Sequence, residues 1–289
     1  MSRVRLVALG TAQDGGLPQA GCDCRSCQRA RSEPQFARRV ACLGLWDEKH
    51  DSRYMIDCTP DLPRQLDHLK CLTGRPKGHS LDGILLTHAH AGHYAGLVNF
   101  GREMMNSAGI PVWCTPDMGE MLSTNAPWNL LLRLGNIVPV SVAPGSPVAF
   151  GGHLALTPVT VPHRNEITGT IGLFIRGPER TALYIPDADS WAGLERSIVT
   201  LVADAGLAIL DGTFFAESDL AGRRSMLEIP HPPMTRTMDL LQSLVDNGKK
   251  VYFSHMNHTN PALCEESPER LILEERGFSL LEEGQVFEL

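Results

Sequence analysis

No run in this chain approaches the ~20 consecutive apolar residues that a membrane span requires. The apolar stretch from Val4 to Gly10 is too short for a secretory signal core, and no small-residue cleavage site follows it. Both absences lead to the expectation of a cytoplasmic protein with no membrane partner. Positive charge is scarce as well. The formal net charge is −7, whereas a phosphate-binding surface wants the opposite sign, so nucleic acid is not an expected partner. Arg25, Arg29, Arg31, Arg38 and Arg39 are the one loose basic cluster and read as a solvated arm. Internal repeats, low-complexity tracts and linker-like composition are all missing, so a single domain over 1–289 is expected.

What is present is an apolar content of 43%, enough to bury a large core. Short β-like runs alternate with helical patterns. Strands are expected at Arg5 to Leu9, Ala41 to Trp46, Tyr54 to Asp57, Gly83 to Thr87, Thr168 to Ile175, Ala182 to Ile185, Gly206 to Leu210 and Lys250 to Ser254. Helices are expected at Asp61 to Leu69, Tyr94 to Asn106, Asp117 to Leu122, Ala192 to Val202, Met234 to Asn247 and Pro268 to Arg276. This interleaving predicts a layered α/β architecture of two packed β-sheets flanked by helices. The β-rich run from Ile137 to Phe150 breaks the alternation and predicts mixed sheets.

The densest chemical signal is Thr87-His88-Ala89-His90-Ala91-Gly92-His93, directly after the apolar run Ile84-Leu85-Leu86. Three imidazoles at the end of a buried strand can converge on one small volume, and imidazole suits zinc, iron and nickel. Ala89, Ala91 and Gly92 let the backbone wrap closely around an ion. The motif resembles the His-x-His-x-Asp-His signature of the metallo-β-lactamase superfamily, with Gly92 at the position of the Asp that serves a second ion. The resemblance implies an αββα sandwich and adds His163, Asp187 and His255 to the metal set, each at or close to the end of an apolar run. Asp189 is a rival to Asp187 for the bridging role.

Eight cysteines are spread unevenly. Cys22, Cys24 and Cys27 lie close together, while Cys42, Cys58, Cys71, Cys114 and Cys264 are scattered, which fits one metal knot and buried free thiols better than a disulfide framework. Three thiolates select zinc, and His258 is the candidate fourth ligand of a structural Zn2+ that pins the glycine-rich loop from Gly10 to Arg31. A redox-active thiol cluster and an iron–sulfur site are the alternatives.

Together with the late His255-x-Asn257-x-Thr259-Asn260-Pro261, these motifs resemble the PqqB family of pyrroloquinoline quinone biosynthesis. The likeness extends over Gly15 to Gln19, Thr87 to Leu97, Val161 to Arg164, Pro186-Asp187, Asp211 to Phe214 and Glu265 to Arg270. Two positions depart from it: Ala20-Gly21 replaces a bulky aromatic, and His258 replaces an Asn. The second departure is similar to PhnP, a related phosphodiesterase. The PqqB resemblance implies an iron-dependent hydroxylase acting on the tyrosine ring of a small peptide-derived precursor. A zinc or manganese hydrolase of a phosphodiester or ester, and a non-catalytic small-molecule carrier, stay open beside it. With no carboxylate at position 92, one ion position would have His88, His90, His163 and Asp187. The other would have only His93, His255 and Asp187, so the active site is expected to hold one Fe2+ or Zn2+/Mn2+ ion, or two of unequal affinity. His231 is the candidate acid/base alongside Asp187. Asp211 is expected to orient a histidine, and Asp61 and Arg164 to meet substrate. His50, His68, His79 and His153 read as surface residues, and a homodimer stays open.

Overall fold

The computed structural model describes residues 3–74, 81–220 and 229–289; His79 lies outside them. The first seven-stranded sheet contains β1 (Val4–Gly10), β2 (Cys42–Asp47), β3 (Ser52–Ile56), β4 (Gly83–Leu85), β5 (Ile110–Cys114) and β6 (Ile137–Ser141). The second contains β7 (Val148–Ala149), β8 (Ala155–Val161), β9 (Thr170–Arg176), β10 (Thr181–Ile185), β11 (Leu207–Asp211), β12 (Lys250–Ser254) and β13 (Ser279–Leu280). The last strand, β14 (Val286–Glu288), returns to the first sheet, whose order is β14-β1-β2-β3-β4-β5-β6; the second runs β13-β12-β11-β10-β9-β8-β7. Both are mixed. β1, β2 and β3 pair antiparallel and β3 to β6 parallel, while β8, β9 and β10 pair antiparallel and β10 to β13 parallel.

Alternation along the strands builds the layers. Val4, Leu6 and Ala8 of β1 face the other sheet, where Leu173, Ile175, Tyr184 and Ile209 meet them. Val7 and Leu9 face outward, onto helices. Strands covered on both sides read as unbroken apolar runs, as Ala182 to Ile185 does. Helices α1 to α5 are Arg25–Ser32, Leu62–Thr73, Ala91–Tyr94, Pro116–Thr124 and Trp128–Arg133; α6 to α8 are Ile198–Asp204, Met234–Asp246 and Pro268–Glu275. α2, α4 and α5 cover the first sheet through Leu62, Leu66, Leu69, Met118, Leu122 and Leu131. α6, α7 and α8 cover the second through Leu201, Met238, Leu241 and Leu273. No helix among the described residues is long and apolar enough to cross a membrane.

Five expectations need correction. The helix expected from Tyr94 to Asn106 is replaced by the short α3 and a 3-10 turn over Ala95–Phe100. The backbone there is bound to the β3–α2 segment instead: Cys58 N donates to His93 O at 2.7 Å and Gly96 N to Cys58 O at 2.9 Å. Helix α6 begins only at Ile198, because the Ser197 side chain caps it by accepting from Thr200 N, which leaves Ala192 to Ser197 as loop. The strand expected through Thr87 stops at Leu85, since the Asp57 side chain takes over Thr87 N at 2.8 Å. The segment Gly10 to Arg31 is not all loop: α1 starts directly after Cys24. His68, expected on the surface, is half-buried against Arg39 Nη2 at 2.9 Å.

Candidate metal centre

The chemistry collects where strands end. Parallel pairing sets Asp211 of β11 beside Ser254 of β12 and Ile185 of β10 beside Leu210 of β11. The segments that follow therefore deliver Asp187, Thr213 and His255 to one edge of the second sheet. Loops after β1, β3 and β4 deliver Asp14, Asp57 and the His88–His93 motif from the first sheet. The two edges are tied together: Ile171 N donates to Thr87 O at 3.1 Å and Ala89 N to Thr168 Oγ1 at 3.1 Å.

Asp187 lies at the centre and is buried. Its Oδ2 stands 3.4 Å from His88 Nε2, 3.8 Å from His93 Nε2 and 3.6 Å from His255 Nε2. Its Oδ1 stands 3.2 Å from His163 Nε2 and 3.4 Å from His231 Nδ1. His90 Nδ1 faces His163 Nε2 at 3.1 Å. The outer ring nitrogens are held by oxygens. His93 Nδ1 meets Asp57 Oδ2 at 2.7 Å, His163 Nδ1 meets Asp189 Oδ1 at 2.8 Å, and His231 Nδ1 meets Asp211 Oδ2 at 2.8 Å. His88 Nδ1 and His255 Nδ1 each lie 3.0 Å from a threonine hydroxyl, of Thr87 and Thr213. In a neutral ring the nitrogen facing a carboxylate keeps the proton, so Nε2 of His93 and of His163, both turned inward, are the nitrogens available to a cation, the pattern that second-layer carboxylates impose on metal-ligating histidines.

Charge follows the same geometry. Burial pushes the His88 pKa well below its ordinary value. On His93 burial acts in the same direction, but Asp57 and Asp14 outweigh it and hold the pKa well above ordinary. Burial opposes charge on His231 too, yet Asp211 and Asp187 push its pKa up to about 9. Asp187 is held well below the carboxylate range because His255 and His163 outweigh its burial.

His88 Nε2, His93 Nε2, His231 Nε2 and Asp187 Oδ1 are buried without a hydrogen-bond partner. Each such atom costs roughly 1–3 kcal/mol if nothing else satisfies it. Several aimed at one volume are what a cation would satisfy, so the residues fit metal. Among the described residues three groups of four donors around Asp187 have ligand atoms within 4.8 Å of one another: His88, His90, His163 and Asp187; Asp14, His93, Asp187 and His255; and Asp187, Asp211, His231 and His255, in which His231 Nδ1 is already bonded to Asp211. The second group corrects the three-donor expectation for that position, because Asp14 joins it.

A profile for the β-lactamase superfamily domain matches residues 52–256. This chain belongs to the β-lactamase superfamily. It is 29% identical over 309 residues to coenzyme PQQ synthesis protein B of Klebsiella pneumoniae (strain 342), with 97% of each chain covered. Among solved structures, Zn(2+)-bound PqqB from Methylobacterium extorquens superposes with a TM-score of 0.82 at 22% identity, over 99% of this chain and 100% of that one. A diphosphatase from the PhnP family superposes with a TM-score of 0.69 at 22% identity, over 99% and 97%. The chain is thus a PqqB-like member of the superfamily, with its two-sheet, helix-flanked fold.

The remaining sequence candidates separate by place. Cys22, Cys24 and Cys27 Sγ lie 3.6, 3.3 and 3.5 Å from His258 Nδ1, a compact set of three sulfurs and one nitrogen that fits zinc. Asp189 orients His163 rather than sitting between the donor groups, and it also accepts from Arg164 N at 2.8 Å. Asp211 orients His231 and accepts from Thr213 N at 2.9 Å. Asp61 accepts from Val40 N at 3.0 Å and borders a side cleft with Gly16 and Arg64; no donor group includes it. Arg164 Nε is buried without a partner.

Sequence reasoning missed Asp14 and Asp57. Asp57 accepts from Thr87 N, Thr87 Oγ1 and His93 Nδ1, and it and His255 hold left-handed backbone at φ 69° and 61°. Such strain costs of order 1–3 kcal/mol and concentrates at functional sites. Gly92 was the available signal for Asp14: a glycine at a ligand position calls for a carboxylate from elsewhere.

Proposed function

We propose that the chain is a metal-dependent hydrolase that opens a phosphodiester or ester bond in a small molecule. The observation that carries this reading is the buried Asp187 carboxylate, common to the donor group of His88, His90 and His163 and to that of Asp14, His93 and His255. A carboxylate so shared suits a pair of ions. His88, His90, His163 and Asp187 would hold one, and Asp14, His93, Asp187 and His255 the other. Bound there, the ions would supply Lewis acidity at a phosphoryl or carbonyl oxygen and bring the pKa of water toward neutrality.

The chain's own groups complete the chemistry. Asp211 fixes the His231 ring, whose Nε2 lacks a partner and whose side chain borders a cleft lined by Asp189, Trp191, Pro233 and Arg236. A proton on Nε2 would be the one given to a leaving oxygen. Arg164 Nε and the exposed Arg236 offer positive partners to an anionic substrate. Cys22, Cys24, Cys27 and His258 would hold a structural Zn2+ outside the reaction.

A second reading has its own support. Proteins named for PQQ synthesis match this chain across 97% of its length, which favours an Fe2+ site that hydroxylates a tyrosine-containing precursor in that pathway. Protein loaded anaerobically with Mn2+ or with Fe2+ separates the two. Turnover of bis-p-nitrophenyl phosphate with Mn2+ is expected. Oxygen uptake with a Glu–Tyr peptide and Fe2+, without phosphodiester turnover, would replace the hydrolytic reading with the oxidative one. His88→Ala is expected to abolish whichever activity is found; if ligand binding alone survives in both proteins, the chain is a carrier.

A further inference from the structure

Gly92 and Asp14 occupy one space. A Cβ built on Gly92 would lie 2.4 Å from Asp14 Oδ1 and 2.8 Å from Asp14 Cα, closer than real Cβ contacts come. Any side chain at position 92 would evict the carboxylate. With glycine there, Asp14 Oδ1 reaches 3.3 Å from His93 Nε2 and 3.4 Å from His255 Nε2. The first of these nitrogens is fully buried and has no hydrogen-bond partner. Asp187 Oδ2 closes the same small volume from the other side.

Asp14 does not arrive by chance. Ala12 N donates to Arg39 O at 2.8 Å, Gln13 N to Met256 O at 2.9 Å, and Gly16 N to Gln13 O at 2.7 Å. The Asn257 amide donates to the Gln13 side chain. The loop is therefore sewn to the residues directly after His255, so the carboxylate and that imidazole are positioned by one backbone unit. Eight residues beyond Asp14 the same loop enters the thiol knot, whose His258 follows in the segment it is sewn to.

We infer that Asp14, carried on the loop after β1, is a ligand of the second ion position, and that Gly92 is small in order to admit it. The inference rests on the metal-centre reading above and deepens it by giving position 92 its reason for being glycine. It also makes the two positions chemically unequal. Three imidazoles and one carboxylate define the first, and two of each define the second, so the Asp14 position is the harder one and suits Mn2+ better than the first position does. Asp14 is the solvent-facing member of its group, with 37% of its side chain exposed against 2% for Asp187. The Asp14 side is therefore where the second ion would be open to water.

The test moves the carboxylate. Asp14→Asn, Gly92→Asp and the double variant Asp14→Gly/Gly92→Asp are compared with wild type by equilibrium dialysis against Mn2+, with the knot zinc left in place. Electron paramagnetic resonance then tells a spin-coupled ion pair from an isolated ion. Wild type is expected to bind two Mn2+ per chain as a coupled pair. Asp14→Asn, nearly isosteric, is expected to bind the second at least ~10-fold more weakly and to show an isolated ion. Gly92→Asp alone forces two carboxylates into one space and is expected to lower the melting temperature. The double variant is expected to regain the coupled pair, which a merely structural Asp14 would not allow. If Asp14→Asn keeps two coupled ions with unchanged affinity, the assignment of Asp14 is overturned while the centre itself stands. If wild type binds a single ion and Asp14→Asn binds it equally well, the assignment is likewise overturned. If wild type takes up no ion and His88→Ala changes nothing, the metal-centre reading fails, and the Asp14 assignment with it.

Discussion

Replacing Asp57 by Asn separates two jobs that one buried carboxylate performs. Its Oδ1 accepts from Thr87 N at 2.8 Å and Thr87 Oγ1 at 2.9 Å, which holds the start of the histidine loop. Its Oδ2 accepts from His93 Nδ1 at 2.7 Å, which holds the ring tautomer. An asparagine tolerates the left-handed backbone at φ 69° and keeps an oxygen for Thr87. Its amide then faces His93 Nδ1 as a donor. The ring has to accept there and carry its proton on Nε2, the nitrogen turned toward Asp14 and Asp187. A protonated Nε2 has no lone pair for a cation. Loss of such an outer partner costs about 10–100-fold in metal affinity, or about 1.4–2.8 kcal/mol, while the fold loses little. Asp57→Ala behaves differently. It leaves Thr87 N and His93 Nδ1 as buried donors without acceptors, at about 1–3 kcal/mol each. It also places alanine in left-handed backbone at a further ~1–2 kcal/mol. Mn2+ dialysis and thermal melting of both variants check the reasoning. The Asn protein should bind weakly and melt close to wild type, and the Ala protein should fail on both counts. An Asn variant with undiminished affinity, or one that melts as low as the Ala variant, refutes the tautomer argument.

Three further outcomes are expected. Gly96→Ala would place a methyl group 2.1 Å from Thr59 O, a backbone atom that cannot yield, so Gly96→Ala should unfold at clearly lower denaturant than wild type and bind less metal because His93 moves with the shifted turn. Ser267→Ala removes the side chain that accepts from Arg270 N at the start of α8 and should cost about 1 kcal/mol in chemical denaturation, with metal binding unchanged. Cys24→Ser should lose one zinc per chain in elemental analysis and speed amide hydrogen exchange over residues 11–31, because the knot holds that loop to His258; unchanged exchange would show that backbone pairing alone holds it.

Much of the centre can be read from the chain because its geometry is local. His88, His90 and His93 lie within one turn of backbone after a buried strand, so their convergence needs only that strand to exist. The thiols of Cys22, Cys24 and Cys27 are close for the same reason. The layered α/β reading follows from alternation and apolar runs, which depend on nearest neighbours in a sheet. Where the expectations fail, a distant partner decides. The helix expected after Tyr94 is cut short by the β3–α2 segment binding its backbone, and the β4 strand is cut short by the Asp57 side chain.

The sequence by itself determined which residue types could hold a cation and where the knot begins, because ligand spacing within a few residues survives any folding of the rest. Only the tertiary structure decided that Asp14 stands in the space beside Gly92, that Asp57 sets the His93 tautomer, and that Asp189 serves His163 while Asp187 sits between the donor groups. A lone aspartate in a loop carries no pattern of its own. Its role is fixed by the backbone bonds that carry it across the sandwich edge, and those join residues more than two hundred positions apart.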